Sequence, residues 1–169
     1  MLVYHPAFDL YNCIFRMLQL LSYSKEDEID LDKLRIWDFY LTFPNLVKDI
    51  SFPSDLRHLK DSIFKEKDNP YEDVTDPKQV FEKMNSYQIS AIKCLASYGF
   101  VDSKSLDKSK VRKTSKEIPP ELMEKLNDLA NQKGNVIKLL TSDLVTLPLF
   151  GDKGWKARTG LLEFKYDPR

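Results

Sequence analysis

The residues best suited to binding chemistry are cations clustered between positions 104 and 116. The cluster consists of Lys104, Lys108, Lys110, Arg112, Lys113 and Lys116. Asp102 and Asp107 lie beside it, so six cations less two carboxylates leave a local charge of +4. Such cations neutralise phosphates and release counterions from nucleic acid. The candidate contacts with a DNA backbone are Lys108, Lys110, Arg112 and Lys113. The alternative is a solvated strand edge that lysines protect from aggregation.

A second candidate site is the glycine-punctuated stretch GDKGWKARTG, residues 151–160. Its cations Lys153, Lys156 and Arg158, together with backbone amides freed by the glycines, are a candidate site for a phosphate or a partner. The stretch lacks the Gly-Lys-Ser/Thr ending of a P-loop. The alternative interpretation is a turn that precedes a capped helix with a solvated basic face.

Residues for catalysis or metal binding are sparse. The two histidines, His5 and His58, have no Cys, His or carboxylate at ligand spacing. Cys13 and Cys94 each lie in an apolar helical pattern, which favours buried free thiols in a reducing compartment. We therefore expect no enzymatic activity, no cofactor and no metal site.

The elements around the basic cluster are predicted in the order of a winged helix. Helices are expected at 31–42, 77–84 and 87–98, followed by a hairpin at 99–114 that carries the cations. Asp76 and Pro77 suit the start of a helix, and Gly99 suits a left-handed end. Pro44 should end the helix at 31–42.

The helix at 87–98 holds few groups that read bases. Its polar side chains are Tyr87, Gln88, Ser90 and Lys93. Arginine, which makes the commonest specific base contact, is missing from this helix. The sequence therefore argues against specific DNA reading and leaves backbone contact or protein contact as its role.

Apolar residues in the N-terminal helix occupy more of its circumference than one core contact requires. The predicted partner-binding stripe is Phe8, Tyr11, Phe15 and Leu18. Ile14, Met17 and Leu20 widen it. This helix is either the centre of the fold or a partner surface, and we predict a partner surface.

The remaining chain divides into a core and a C-terminal extension. We predict an N-terminal apolar helix at 1–25, a winged-helix core at 26–116 with an inserted polar loop near 65–76, and a helical extension at 117–169. In the extension, Leu122, Leu126 and Leu129 form a helical stripe that Gly134 should interrupt before a second helix at 135–145.

Composition limits the class of protein. The chain has 169 residues, 42% of them hydrophobic, and 26 cationic residues balance 26 acidic ones. A chain with zero net charge has little overall attraction to nucleic acid, so phosphate contacts alone are not expected to define its function. No apolar run approaches the ~18 residues of a spanning helix, so we expect a cytoplasmic, mainly α protein without a membrane partner.

Three stretches resemble the small middle components of bacterial ABC-three-component conflict systems, including the small accessory subunit of Lamassu-type defence. They are YHPAFDLYNCIFRMLQLL, LRIWDFYLTFP and LFGDKGWKARTGLLEFKYD. The resemblance implies a non-catalytic accessory subunit that works with an SMC- or Rad50-like ATPase and a nuclease or other effector in anti-phage or anti-plasmid defence. It also implies a winged helix used for assembly that touches DNA non-specifically within the complex. The alternative function is a free-standing winged-helix DNA-binding regulator.

Overall fold

The computed structural model describes residues 5–63, 74–165 and 167. Its α-helices are α1 (Leu10–Tyr23), α2 (Leu31–Thr42), α3 (Arg57–Ile63), α4 (Pro77–Ser97), α5 (Ser103–Leu106), α6 (Pro120–Lys138) and α7 (Trp155–Thr159). The strands are β1 (Glu28–Asp30) and β2 (Lys110–Arg112). Short 3-10 helices cover Pro6–Phe8, Pro44–Asp49 and Ser54–Leu56, and a π-helical turn covers Leu139–Asp143. The mainly α class is confirmed.

Helix α2 is the central helix of the core. Every residue from Lys33 to Leu41 is buried, and the helix ends before Pro44 as the sequence predicted. Trp37 of α2 meets Trp155 of α7 edge to face, with ring centroids 6.4 Å apart. Helix α1 packs on α2, α4 and α6, most extensively on α4. One hydrophobic core therefore joins the two ends of the described chain.

A two-stranded antiparallel sheet closes one side of the core. β1 pairs with β2 so that Ile29 faces Val111, and both side chains are buried. Val101 forms an isolated bridge to Lys113 while β2 pairs with β1, so the chain returns over 99–114 but without the predicted two-stranded hairpin. Helix α5 occupies the connection in that return. β1 was missed because its acids made the segment look like a charged connector.

The predicted division into helices 77–84 and 87–98 is wrong, because α4 runs unbroken through Asn85 and Ser86. Both side chains are exposed, and no glycine or proline interrupts the helix. The buried positions Met84, Gln88 and Ile92 continue the stripe at helical spacing across the expected turn. The predicted N-cap at Asp76 is confirmed by its hydrogen bond from the amide of Gln79 (3.1 Å). Gly99 ends α4 with φ +83°, also as predicted.

The predicted helix break at Gly134 is also wrong. α6 continues to Lys138 through this exposed glycine, because Leu126, Ala130 and Ile137 keep their side chains in the core. A glycine inside a helix weakens it by only about 1 kcal/mol. The predicted second helix at 135–145 is instead the end of α6 and the π-helical turn.

Short helices predicted between 45 and 64 are confirmed by the two 3-10 helices and α3. Most of the polar loop predicted near 65–76 lies outside the described residues. The division into units 1–25, 26–116 and 117–169 stays a prediction. Within the described residues, α1, α4 and α6 all contribute side chains to one core.

Candidate functional site

A buried polar network joins α1, α2 and α4. Arg16 Nε donates to Asp38 Oδ1 at 2.6 Å, and Gln88 Nε2 donates to Asp38 Oδ2 at 2.9 Å. Arg35 Nε donates to Gln88 Oε1 at 3.0 Å, and its Nη1 donates to Asp32 at 2.8 Å. Gln88, counted from the sequence among the few polar side chains of the helix at 87–98, is fully buried. The network fixes the positions of three helices relative to one another.

Burial and the Asp38 carboxylate shift the pKa values of Arg16 and Cys13 in this network. Burial alone would lower the pKa of Arg16, but the Asp38 carboxylate outweighs it and the pKa is raised. Burial, and then the charge of Asp38, raise the pKa of the Cys13 thiol, whose Sγ lies 3.9 Å from Asp38 Oδ2. A protonated, buried thiol is a poor nucleophile. The arrangement is suited to holding the helices rather than to covalent chemistry.

The predicted partner stripe borders a surface groove. The groove has a volume of about 390 Å³ and lies between α1, the end of α4 and the start of α6. Its lining is Tyr11, Ile14, Phe15, Leu18, Leu95, Tyr98, Phe100, Lys116, Pro119 and Leu122. Tyr11 is 67% exposed, while Leu18 is buried at 4%. Phe8 is not in this lining and packs beside Tyr87 of α4 instead. The structure therefore brings Tyr11, Phe15 and Leu18 together and separates Phe8 from them.

A second cleft lies on the other side of Phe15. Its volume is about 350 Å³. Its lining is His5, Pro6, Asn12, Phe15, Arg16, Gln19, Leu41, Thr42, Phe43 and Leu129. This cleft was not predicted, because its walls come from four elements: α1, α2, α6 and the 3-10 helix before α1. The signal in the sequence that could have indicated the cleft is that Arg16 and Gln19 interrupt the apolar face of α1.

Most of the predicted DNA-backbone cations are bonded within the chain. Lys110 pairs with Asp30, and Arg112 pairs with Glu28 at 2.6 Å. Lys113 Nζ donates to the carbonyl of Ser24 at 2.8 Å. Lys108 is exposed on the turn that precedes β2. The acids of β1 that face β2 therefore offset much of the local charge counted from the sequence.

A family model described as ABC-three component (ABC-3C) system Middle Component 5 matches residues 2–167. The chain belongs to this family. No curated protein and no solved structure matches the chain. The matched range includes every helix and strand named above, so the family match covers the whole described fold.

In the middle component, the glycine-rich stretch at 151–160 begins with a tight turn that leads into α7, and we call this turn the corner. Lys156 pairs with Asp167 at 3.1 Å, and Arg158 Nη1 donates to the carbonyl of Ser51 at 2.7 Å. Gly154 packs so closely that a Cβ would lie 2.3 Å from the carbonyl oxygen of Phe150. Lys153 is exposed. Two of the three predicted phosphate-binding cations are thus engaged in holding the corner.

The described part of the middle component shows neither a metal-binding cluster nor a helix that could span a membrane. Within residues 5–63, 74–165 and 167, no group of three or more His, Cys, Asp or Glu side chains is placed to hold a metal ion. Cys13 and Cys94 are free thiols. None of the described helices is long and apolar enough to span a bilayer.

Proposed function

We propose that this middle component is a non-catalytic accessory subunit of a bacterial anti-phage or anti-plasmid defence complex of the Lamassu type. It binds an SMC- or Rad50-like ATPase and bridges it to a nuclease or other effector in the cytoplasm. The observation that carries the proposal is the exposed aromatic edge of α1 beside the groove, in a chain that belongs to a middle-component family.

The α1 edge is suited to protein contact. Tyr11 and Phe15 pack edge to face at 4.7 Å, and Tyr98 across the groove is 62% exposed. The inner face of α1 fills the core through Cys13 and Met17, Phe15 packs half-buried at the margin of that core, and Tyr11 is left largely exposed. Tyrosine and tryptophan are enriched among the residues that dominate binding energy at interfaces. These features favour a partner subunit over solvent as the neighbour of this edge.

The winged-helix part of the proposal is supported by the order of the elements. α1, β1, α2 and α4 precede a chain return that joins Val101 to Lys113, and β2 pairs back to β1. α4 takes the place of the helix that reads DNA in such folds. It exposes Ser90 and Lys93 while Gln88 is buried. We infer that α4 serves assembly and not base reading.

DNA contact, on this proposal, is non-specific and occurs in the assembled complex. Lys108 and Arg112 are both exposed, but Arg112 pairs with Glu28, and the less exposed Lys110 pairs with Asp30. Cations already paired with acids gain less from a phosphate than free ones, because the acid must be displaced. We expect Lys108 to contribute most to any backbone contact.

The test is co-purification of the middle component with the products of its neighbouring genes. Tyr11→Asp should abolish co-purification of the ATPase, because it introduces a charge at the centre of the aromatic edge. Phe164→Asp is the matched control, since Phe164 is also an exposed aromatic (43%) but does not line the groove. Circular dichroism must show unchanged helix in both variants. Retained ATPase binding by folded Tyr11→Asp would refute the α1 interface.

The second candidate function is the free-standing regulator, which the helix and strand order also allows. A duplex-binding titration with salt separates the two. The isolated chain should bind DNA weakly and without sequence preference, because its net charge is zero. Tight, sequence-selective binding by the isolated chain would favour the regulator.

A further inference from the structure

The groove and the cleft lie side by side along α1 and share Phe15 in their linings, and we call the pair the trough. Phe15 lines both, and α6 borders them with Leu122 in the groove and Leu129 in the cleft. Leu126 lies between these two leucines on α6 and is fully buried. We define the trough by Tyr11, Phe15, Leu122 and Leu129. Its groove end is almost wholly apolar, whereas its cleft end presents hydrogen-bonding groups.

Two buried polar side chains of α1 line the cleft end. Arg16 donates to Asp38 through Nε and Nη2 and to the carbonyl of Pro6 through Nη1. A guanidinium carries more N–H groups than these three hydrogen bonds use. Gln19 donates from Nε2 to the carbonyl of Leu126 at 3.0 Å. Across the described residues, Gln19 Oε1 accepts no hydrogen bond, although Gln19 is only 3% exposed.

Arg16 and Gln19 together present a donor and an acceptor that are complementary to the main chain of a peptide. Arg16 and Gln19 are three residues apart on α1, so their side chains are neighbours on one face of the helix. Arg16 offers a donor and Gln19 Oε1 offers an acceptor. A residue in an extended segment offers the complement, because its own C=O and N–H project from the same edge of the chain, whereas the C=O and N–H of one trans amide point in opposite directions. In a helix these main-chain groups are used internally, whereas in an extended segment they are free.

The charge of the site disfavours an anion. Asp38 is fully buried and lies 2.6 Å from Arg16, so the guanidinium charge is already matched. A carboxylate or phosphate brought to Arg16 would add a second negative charge near Asp38. A neutral amide gains the spare hydrogen bonds without that repulsion.

We propose that the cleft binds the main-chain N–H and C=O of one residue in an extended peptide segment from a partner subunit, while the groove takes the apolar side chains of the same segment. The carbonyl of the segment accepts from Arg16, and its N–H donates to Gln19 Oε1. Phe15 and Leu129 pack against the side chain that follows. The inference rests on the proposed assembly function and names how the partner is held.

The first test is photo-crosslinking in the co-expressed complex. A benzophenone amino acid is placed at Tyr11 in the groove, at Leu129 in the cleft, or at Lys83 as an exposed control on α4. Tyr11 and Leu129 should crosslink to the same short segment of one partner, and Lys83 should not. Crosslinks from Leu129 to a different subunit, to the chain's own N-terminal residues, or to nothing in an assembled complex would overturn the proposal. An assembled complex without a Tyr11 crosslink would instead refute the proposed α1 interface.

The second test asks whether the main chain is recognised. A synthetic peptide of the crosslinked segment is titrated into the middle component by fluorescence anisotropy. N-methylation of the amide nearest the Leu129 crosslink should weaken binding about tenfold, as expected for one lost buried hydrogen bond. N-methylation outside the crosslinked residues is the matched control and should have little effect.

A Gln19→Met variant completes the test. It should weaken the unmodified peptide by a similar factor and remove the effect of N-methylation, because the acceptor is gone. Thermal unfolding checks that the variant is folded, since it also loses the hydrogen bond to Leu126. If Gln19→Met does not fold, the two methylated peptides decide the question alone. Equal binding of all three peptides to the wild-type protein would overturn the proposal.

Discussion

The buried network around Asp38 and the ion pairs of the β-sheet use the same kinds of residue in opposite surroundings. Asp38 is fully buried and meets Arg16 and Gln88 from two other helices. In the sheet, the Arg112 side chain is 57% exposed and that of Glu28 is 35% exposed. The first group joins three helices that are distant in sequence, and the second joins two neighbouring strands.

The difference teaches what each group contributes. Charges in the core lose their hydration, so every one needs a partner, and removal of one partner leaves the other uncompensated. Exposed pairs keep most of their hydration and stabilise by little. The buried network therefore specifies how α1, α2 and α4 are arranged, while the sheet pairs mainly reduce the charge available to an outside ligand.

The largest expected effect comes from removing the buried acid. Asp38→Ala should lower the free energy of unfolding by about 3–5 kcal/mol, because it strands the buried Arg16 and Gln88. Urea denaturation measures this loss. Glu28→Ala is the matched control, since Glu28 is also bonded to an arginine, but the Glu28 side chain is 35% exposed and that of Arg112 is 57% exposed. A loss below about 1 kcal/mol for Asp38→Ala would show that the network is not held as described.

Two glycines provide a second contrast, because Gly154 is closely packed and Gly134 has open space around it. Gly154→Ala should destabilise the chain by about 1–3 kcal/mol, because its Cβ would lie 2.3 Å from the backbone oxygen of Phe150. Gly134→Ala is the control, since no atom lies within 4 Å of a Cβ there and alanine favours the helix. It should stabilise by about 0.5–1 kcal/mol. Thermal unfolding of both variants tests the pair, and equal effects would refute the tight corner.

Alkaline pH provides a third test of the core. The pKa of Cys13 is raised above its ordinary value of 9.0, so above that pH the unfolded chain releases a proton that the folded chain retains. Stability from this group is therefore complete below pH 9 and falls at higher pH by up to about 1.4 kcal/mol per pH unit. The raised pKa of Tyr40, also due first to burial, adds to the fall.

The measurement is urea denaturation from about pH 8 to about pH 10.5, a range that spans the ordinary thiol pKa of 9.0. Cys13→Ala should show a shallower decline than the wild type. Cys94→Ala is the control, because Cys94 is only partly buried and should leave the decline unchanged. Identical slopes in all three proteins would contradict the burial of the Cys13 thiol.

Local signals in the sequence predicted much of the fold. The proline after α2, the cap at Asp76 and the left-handed Gly99 act on nearby backbone, so they could be recognised without the structure. The breaks expected at Asn85 and Gly134 were wrong, because packing of the stripes on α4 and α6 outweighs weak local preferences. Tyr11 and Phe15 were found from periodicity alone.

The rest depended on contacts between distant residues. Glu28 and Asp30 bond cations 84 and 80 positions away, which is why the basic cluster looked freer than it is. Nothing local to Gln88 indicates burial, because its partners Arg35 and Asp38 lie on another helix. The cleft is built from four separate elements, and no spacing within one of them predicts it.

The smallest expected effect is in the sheet. Glu28→Gln and Arg112→Gln should each change the free energy of unfolding by about 0.2–1 kcal/mol, and the double variant should differ from the sum only by a coupling energy in that range. The coupling should decrease as salt rises, because both side chains are exposed enough to be screened. Urea denaturation of the four proteins at low and high salt measures it. A coupling energy above about 2 kcal/mol that does not change with salt would mean that Arg112 is held as firmly as Arg16. Arg112 would then be unavailable to a DNA phosphate, and Lys108 would remain the cation to test for backbone contact.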